Sequence, residues 1–378
     1  MNSIYTFARH FGLATGVVAV FALCGGNLAR AQSSGVSATV MGSFREPWAL
    51  EFLPDGRALV TEKAGALKLL AGPNQIHDIS GVPAVAYGGQ GGLGDVVLHP
   101  NFASNQLVYI SYAESGSGGT TGAAVARARL QLTSTGGSLS NIEVVWRQVP
   151  KVVGNAHYSH RIAFDREGYL WISSGERQLM MPAQQMDNNL GKILRLRDDG
   201  SVPADNPFAH LGGVSAQIWS LGHRNVLGLA FDELGRLWDV EMGPMGGDEL
   251  NLIVRGGNYG WPLVSNGSHY DGRDIPDHWT RPEFNAPLLS ANPVVSPSSL
   301  MFYNGREFPE WQGDAFVSGL TYFTVSRIEF TSVDRAREAQ RYRFGARVRA
   351  VEQGPEGGIW LLEDGNGGRL IRYTSAGQ

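Results

Sequence analysis

The chain has 378 residues, of which 43% are hydrophobic and 17% charged, and a formal net charge of −4. This balance excludes a disordered polyelectrolyte and is that of a globular chain; the lack of any basic run excludes charge-driven nucleic-acid binding. Fifty glycines against 18 prolines point to many tight turns and few long helices.

The first element reads as an address rather than as structure. Arg9 and His10 precede an apolar stretch from Phe11 to Cys24, and Ala29-Arg30-Ala31 follows. A positive start, a short apolar run and a small-x-small site make a secretory signal peptide, too short for a comfortable membrane span. Residues 1–31 are therefore expected to be removed. The mature chain, 32–378, is expected to be one domain, periplasmic or secreted, with no membrane span. Bulky Leu23 before Cys24 argues against a lipoprotein. Without its leader the chain keeps 29 basic and 35 acidic residues and no cysteine. Its stability must then rest on the core, helped by any metal, and not on disulfides.

Downstream, one phrase recurs. "FLPDGRALVTEKAGALKLL" starts at Phe52 and "LHPNFASNQLVYISYAE" at Leu98. "FDREGYLWISSGE" starts at Phe164 and "FDELGRLWDVEMG" at Phe231. "WQGDAFVSGLTYFTVSRIEF" starts at Trp311 and "EQGPEGGIWLLEDGNGGRLIRY" at Glu352. Each has a turn with Gly or Asn and a short strand of period two; most add a second strand, such as "GKILRLR" or "DELNLIV". Six copies, spaced by roughly 45 to 80 residues, are a blade repeat. The expected fold is all-β, a six-bladed β-propeller, in which radial packing covers both faces of every sheet. A pair of β-sandwiches also uses short strands but does not require a repeated phrase. The stretch from Asn258 to Val295, rich in Pro, Asn and Asp, is too long for a turn and is expected to form a functional rim or an interface.

Four loops carry residues suited to chemistry. In "YGGQGGLGDVVLHP", glycines admit close backbone approach and Gln90 offers an amide; such turns are also common in propellers. "GNAHYSHRIAF" brings His157, His160 and Arg161 to a strand start. A histidine is the usual base near neutral pH, whereas His160 reads better as a strand-capping residue. "LGHRNVLGLAF" sets Arg224 beside Asn225, either for carboxylate or carbonyl oxygens or for a salt bridge between blades. "EMGPMGGDELNLIVRGGNYGWP" combines Glu241, Asp248 and Glu249 with exposed carbonyls, which suits a hard cation such as Ca²⁺ but equally describes an acidic surface turn.

Together, "LGHRNVLGLAF" and "GPMGGDELNLIVRGGNYGWP" resemble the soluble pyrroloquinoline-quinone (PQQ)-dependent sugar dehydrogenases, a family of six-bladed propellers. "QGGLGDVVLHPNF", "GKILRLRDDGSVPADNPF" and "RVRAVEQGPEGGIWLLED" extend the resemblance, in order, over nearly the whole mature chain. The resemblance implies PQQ and Ca²⁺ as cofactors. It implies Gln90, Arg224, Asn225, Tyr270, Arg347 and Arg349 at the quinone, and His157 as the catalytic base. The carbonyls of Gly243 and Pro244 would hold the Ca²⁺ that also binds the quinone, and Glu249 with the Tyr259 carbonyl a second one. Two positions depart from the family's pattern: Thr321 stands in a loop where a lysine is common, and His160 stands where glycine is usual.

The implied activity is oxidation of an aldose at its anomeric carbon to the lactone. Hydride would pass to the quinone, Arg224 would stabilise the charge, and electrons would leave to an external acceptor. Two other readings use the same fold: a calcium-dependent lactone hydrolase, and a non-catalytic propeller that binds a glycan or a protein.

Overall fold

The computed structural model describes residues 35–376 apart from 333, so the expected signal peptide lies outside the described residues. Among the described residues the only α-helix is the short turn Phe102–Asn105, and no helix is long and apolar enough to cross a membrane. The rest of the described residues is sheet and loop with six short 3₁₀ turns. There are four four-stranded sheets and one of eight strands. The eight-stranded sheet is two antiparallel runs, over 47–80 and 93–147, joined by the parallel pairs Ile79↔Gly137 and Ser80↔Ser138.

Six strands of equal length form the inner wall: Pro47–Phe52, Leu93–Leu98, Ser159–Phe164, Val226–Phe231, Pro297–Phe302 and Val348–Gln353. Each touches the next, and the last touches the first, so the ring closes. The closure is also hydrogen-bonded. The first described strand, Val36–Arg45, pairs antiparallel with Asn366–Ser375 near the other end of the chain, with Val36 opposite Ser375 and Val40 opposite Ile371.

The core lies between neighbouring sheets rather than at one centre. Trp238, Val240 and Leu250 pack against Leu300, Ala315 and Val317. Between the last sheet and the first, Phe44, Ala350, Trp360 and Leu362 pack against Leu50 and Val60. One sheet cannot bury both of its apolar faces, and stacking around an axis buries them all.

The repeated phrase has a side-chain cause. Asp165 accepts from the turn N–H of Tyr169 at 2.8 Å and from the Trp171 indole at 2.8 Å. Asp232 does the same for Arg236 N–H at 2.9 Å and the Trp238 indole at 2.9 Å. A carboxylate thus ties each turn to the strand that follows it.

All six inner strands shift register near their first residues. A bulge re-aims the side chains around it. The residues at these bulges include Trp48, His160, Leu227 and Arg349, which line the cavity at one end of the axis. Arg161 closes the axis beneath them. Its guanidinium donates to Asp95 at 3.1 Å, to the Leu227 carbonyl at 2.6 Å and to the Ser298 carbonyl at 2.6 Å, and it stacks on Trp48 at 4.0 Å.

Candidate active site

At the N-terminal ends of the inner strands a cavity of about 280 Å³ is lined by Gln90, Asn225, Thr321, Arg347 and Arg349, together with Lys63 and Asp364. Five residues singled out in the sequence thus meet from four distant segments. Arg349 donates to Asp364 through Nε at 2.9 Å and Nη2 at 2.6 Å, and Arg347 through Nε at 2.8 Å. Burial pulls the Arg349 guanidinium below its ordinary range, with Asp364 opposing. The Thr321 hydroxyl pairs with that of Ser296 at 2.8 Å, and Asn225 Oδ1 accepts from Ser159 N–H at 3.3 Å.

A second cavity of about 280 Å³ adjoins it, lined by His157, Arg224, Pro244 and Tyr270 with Glu176, Met180 and Trp261. The two are linked where Gln90 Oε1 accepts from His157 N–H at 2.7 Å. His157 has φ of +48°, a left-handed conformation costly outside glycine. Its Nδ1 lies 2.5 Å from Glu176 Oε1, which leaves Nε2 as the free ring nitrogen. Burial lowers the His157 pKa from its ordinary value, against the raising effect of Glu176, so the ring is neutral at pH 7. A neutral imidazole oriented by a carboxylate is the arrangement of a general base.

Arg224 joins the second cavity to a third, of about 10 Å³, bounded also by Gly243, Pro244, Glu249 and Tyr259. Its backbone N–H donates to Glu241 at 2.6 Å, Nη1 to the Met242 carbonyl at 3.0 Å and Nη2 to the Tyr270 hydroxyl at 3.2 Å. Its Nε is buried without a partner. Tyr270 is otherwise exposed, on the Asn258–Val295 segment that forms this rim. Gly243 is packed so tightly that a Cβ would fall 2.2 Å from the Gly246 carbonyl oxygen. Burial, with Glu241 nearby, raises the Glu249 carboxyl well above its usual range. The Tyr259 carbonyl faces His278 Nε2 at 3.2 Å.

His160 lies in the first cavity's wall but has no opening of its own. It is buried, stacks on Trp48 at 5.0 Å and meets the Ser111 hydroxyl at 2.9 Å through Nδ1. Its room comes from Gly94, where a Cβ would stand 1.9 Å from the imidazole Cε1. Burial pushes its pKa down to about 3, so it stays neutral. Sequence reasoning missed Glu176, Lys63 and Asp364. Glu176 is the last residue of "FDREGYLWISSGE", at the point where that phrase and "FDELGRLWDVEMG" diverge, which was the signal available for it.

Comparison with known proteins shows the family. The sequence model of the Glucose / Sorbosone dehydrogenase family matches residues 44–372. The aldose sugar dehydrogenase YliI of Escherichia coli is 39% identical over 337 residues, covering 87% of this chain and 90% of that protein. The apo-form crystal structure of the soluble aldose sugar dehydrogenase from Escherichia coli superposes with a TM-score of 0.84 at 37% identity, over 90% of this chain and 99% of that one. A PQQ-bound aldose sugar dehydrogenase from Streptomyces coelicolor superposes with a TM-score of 0.74 at 27% identity, over 90% of this chain and 98% of that one. The chain therefore belongs to the glucose/sorbosone dehydrogenase family and is an oxidoreductase.

Proposed function

We propose that the mature chain is one six-bladed β-propeller, exported to the periplasm or beyond, that oxidises an aldose at its anomeric carbon to the lactone with PQQ and Ca²⁺. The observation that carries the reading is the junction of the two cavities, where a neutral, carboxylate-oriented histidine meets a cationic cavity. Six blades follow from the six inner strands if the eight-stranded sheet is counted as two. Export rests on the pattern of residues 1–31.

The donor set fits the cofactors. PQQ carries three carboxylates, and the first cavity presents the cations Lys63, Arg347 and Arg349 with the amides of Gln90 and Asn225. The larger cavity at the other end of the axis, about 510 Å³, is lined by Glu51, Asp95, Asp165 and Glu352 beside Arg161 and Arg166, and so presents no excess of positive charge to such an anion. Burial holds Glu51 and Glu352 up at about 8. Around Arg224, the Gly243 and Pro244 carbonyls and the pair of Glu249 with the Tyr259 carbonyl offer the oxygen ligands that Ca²⁺ takes.

When bound, the quinone would supply the acceptor for the hydride of the sugar's anomeric carbon, and calcium would supply its polarisation. His157 Nε2 takes the proton of the anomeric hydroxyl as the C–H bond breaks. Glu176 holds the imidazole tautomer and stabilises the charge that the ring then bears. Arg224, fixed by Met242 and Tyr270, presents a preorganised cation and its unpartnered Nε–H toward developing negative charge. Met180 and Trp261 give the second cavity, where the sugar would lie, part of its apolar wall.

The test is reconstitution: quinone and Ca²⁺ are added to purified protein, and dye-linked oxidation of a sugar panel is followed. Turnover that needs both supports the reading. Hydrolysis of lactones with Ca²⁺ alone, or sugar binding without turnover, would replace it. Ca²⁺ at a hundredfold excess over Kd should also stabilise the fold by about 2.7 kcal/mol, and Glu249→Gln should remove part of that gain in thermal melts. A chelator that changes neither the melting temperature nor activity counts against both ion sites.

Glu176→Gln should lower kcat by about tenfold or more. Because Glu176 raises the His157 pKa, its neutralisation lowers that pKa further. The base works when neutral, so the acid limb of kcat should move to lower pH. An unmoved limb in the pH profile would show that the pair does not act in turnover.

A further inference from the structure

We propose that Lys63 is a direct binding residue for the anionic cofactor, a third cation supplied from a sheet other than the one that carries the arginine pair. The proposal rests on the quinone reading above.

Lys63 follows the strand Ala58–Glu62, whereas Arg347 and Arg349 lie at the start of Val348–Gln353. All three line the same cavity. Their states differ. The arginines already give three N–H groups to Asp364, at 2.6 to 2.9 Å. The Lys63 ammonium gives one, to the Gly89 carbonyl at 3.0 Å. Its nearest carboxylate oxygen, Glu46 Oε1, stands at 3.9 Å, beyond hydrogen-bond reach, while Glu46 Oε2 accepts from the Tyr87 hydroxyl. Two of the three ammonium donors therefore have no close acceptor among the described residues.

The position suits a ligand rather than a surface pair. The Lys63 side chain is only 14% exposed. The aromatic ring of Tyr87 lies 5.7 Å from its Nζ, and the Gly89 carbonyl that it holds precedes Gln90 in the chain. An ammonium with spare donors is matched by a carboxylate. Across this cavity Lys63, Arg347 and Arg349 face Glu46 and Asp364, an excess of one positive charge that an anionic ligand would neutralise.

Two measurements test this. The first is quinone binding at fixed Ca²⁺, by absorbance titration of wild type, Lys63→Met and Lys63→Arg. Loss of a charge-assisted contact should raise Kd about tenfold or more for Met, and Arg should restore most of the affinity. The second uses the unmodified protein. The chain has four lysines, so acylation of Lys63 can be followed by peptide mass with and without quinone, and bound quinone should protect it. The second measurement decides the matter if Lys63→Met does not fold. Equal Kd for Met and wild type overturns the proposal. So does weaker binding by Met without protection of Lys63, because the lysine then only supports the loop that carries Gln90. If the wild type takes up no quinone at all, the quinone reading fails and this role with it.

Discussion

Replacing His157 by alanine is expected to lower kcat about 10²–10⁴-fold while quinone affinity stays close to wild type. A hemiacetal C–H is a poor hydride donor while the hydroxyl keeps its proton, because the product would be a protonated carbonyl. A positioned base removes that penalty and is worth about this factor. His157 meets the requirements of geometry: Nδ1 is held by Glu176 at 2.5 Å, and Arg224 lines the same cavity. It is not among the residues lining the cationic cavity, so the cofactor should be held without it. His160→Ala is the comparison. That ring is spent on Trp48 and Ser111, and its loss should reduce turnover much less. The measurement is kcat for both variants at saturating quinone, with quinone affinity determined separately. Retained turnover in His157→Ala with abolished turnover in His160→Ala would mean that the base is misassigned.

The double variant Arg347→Ala, Arg349→Ala should weaken quinone binding by about a hundredfold or more. Hydrogen bonds to charged groups contribute roughly 1.5–3 kcal/mol each, and every 1.4 kcal/mol is about tenfold. The gain is moderated because both guanidiniums are paired with Asp364 before any ligand arrives. Arg347 is about half exposed, whereas the Arg349 side chain is only 11% exposed. Solvent screens the first more, so Arg349→Ala alone should cost more than Arg347→Ala alone. Neither arginine belongs to the hydrophobic cluster of its sheet, and the fold should survive, as a thermal melt of the apoprotein would show. Adding Asp364→Asn to an otherwise intact protein should tighten binding by releasing both arginines. Equal titration curves for wild type and double variant would remove the pair from the cofactor site.

The amino-acid sequence by itself determined the short strands, because brief apolar and β-branched runs bounded by Gly and Asn turns are a local pattern. It also marked the repeat, since in two of its copies the Asp-to-Trp bond of the turn needs both residues at fixed spacing. Gln90, Arg224 and Asn225 stood out for a similar reason: their types and their glycine-rich or strand-start settings are visible over a few residues. Other features depended on contacts between residues far apart in the chain. The pairing of Val36–Arg45 with Asn366–Ser375 closes the ring across more than 320 positions, and no local pattern encodes that partner. The shifted register at the start of each inner strand turns Trp48, His160 and Arg349 toward the axis, and a bulge leaves no mark in periodicity. Glu176 became an orienting group only when its loop folded against His157. His160 became a buried neutral ring only because Gly94, 66 residues earlier, leaves the space for it. Lys63 reads in the chain as an ordinary charged residue after a strand, and it is the closure of the sheets around one cavity that sets its ammonium beside Arg347 and Arg349.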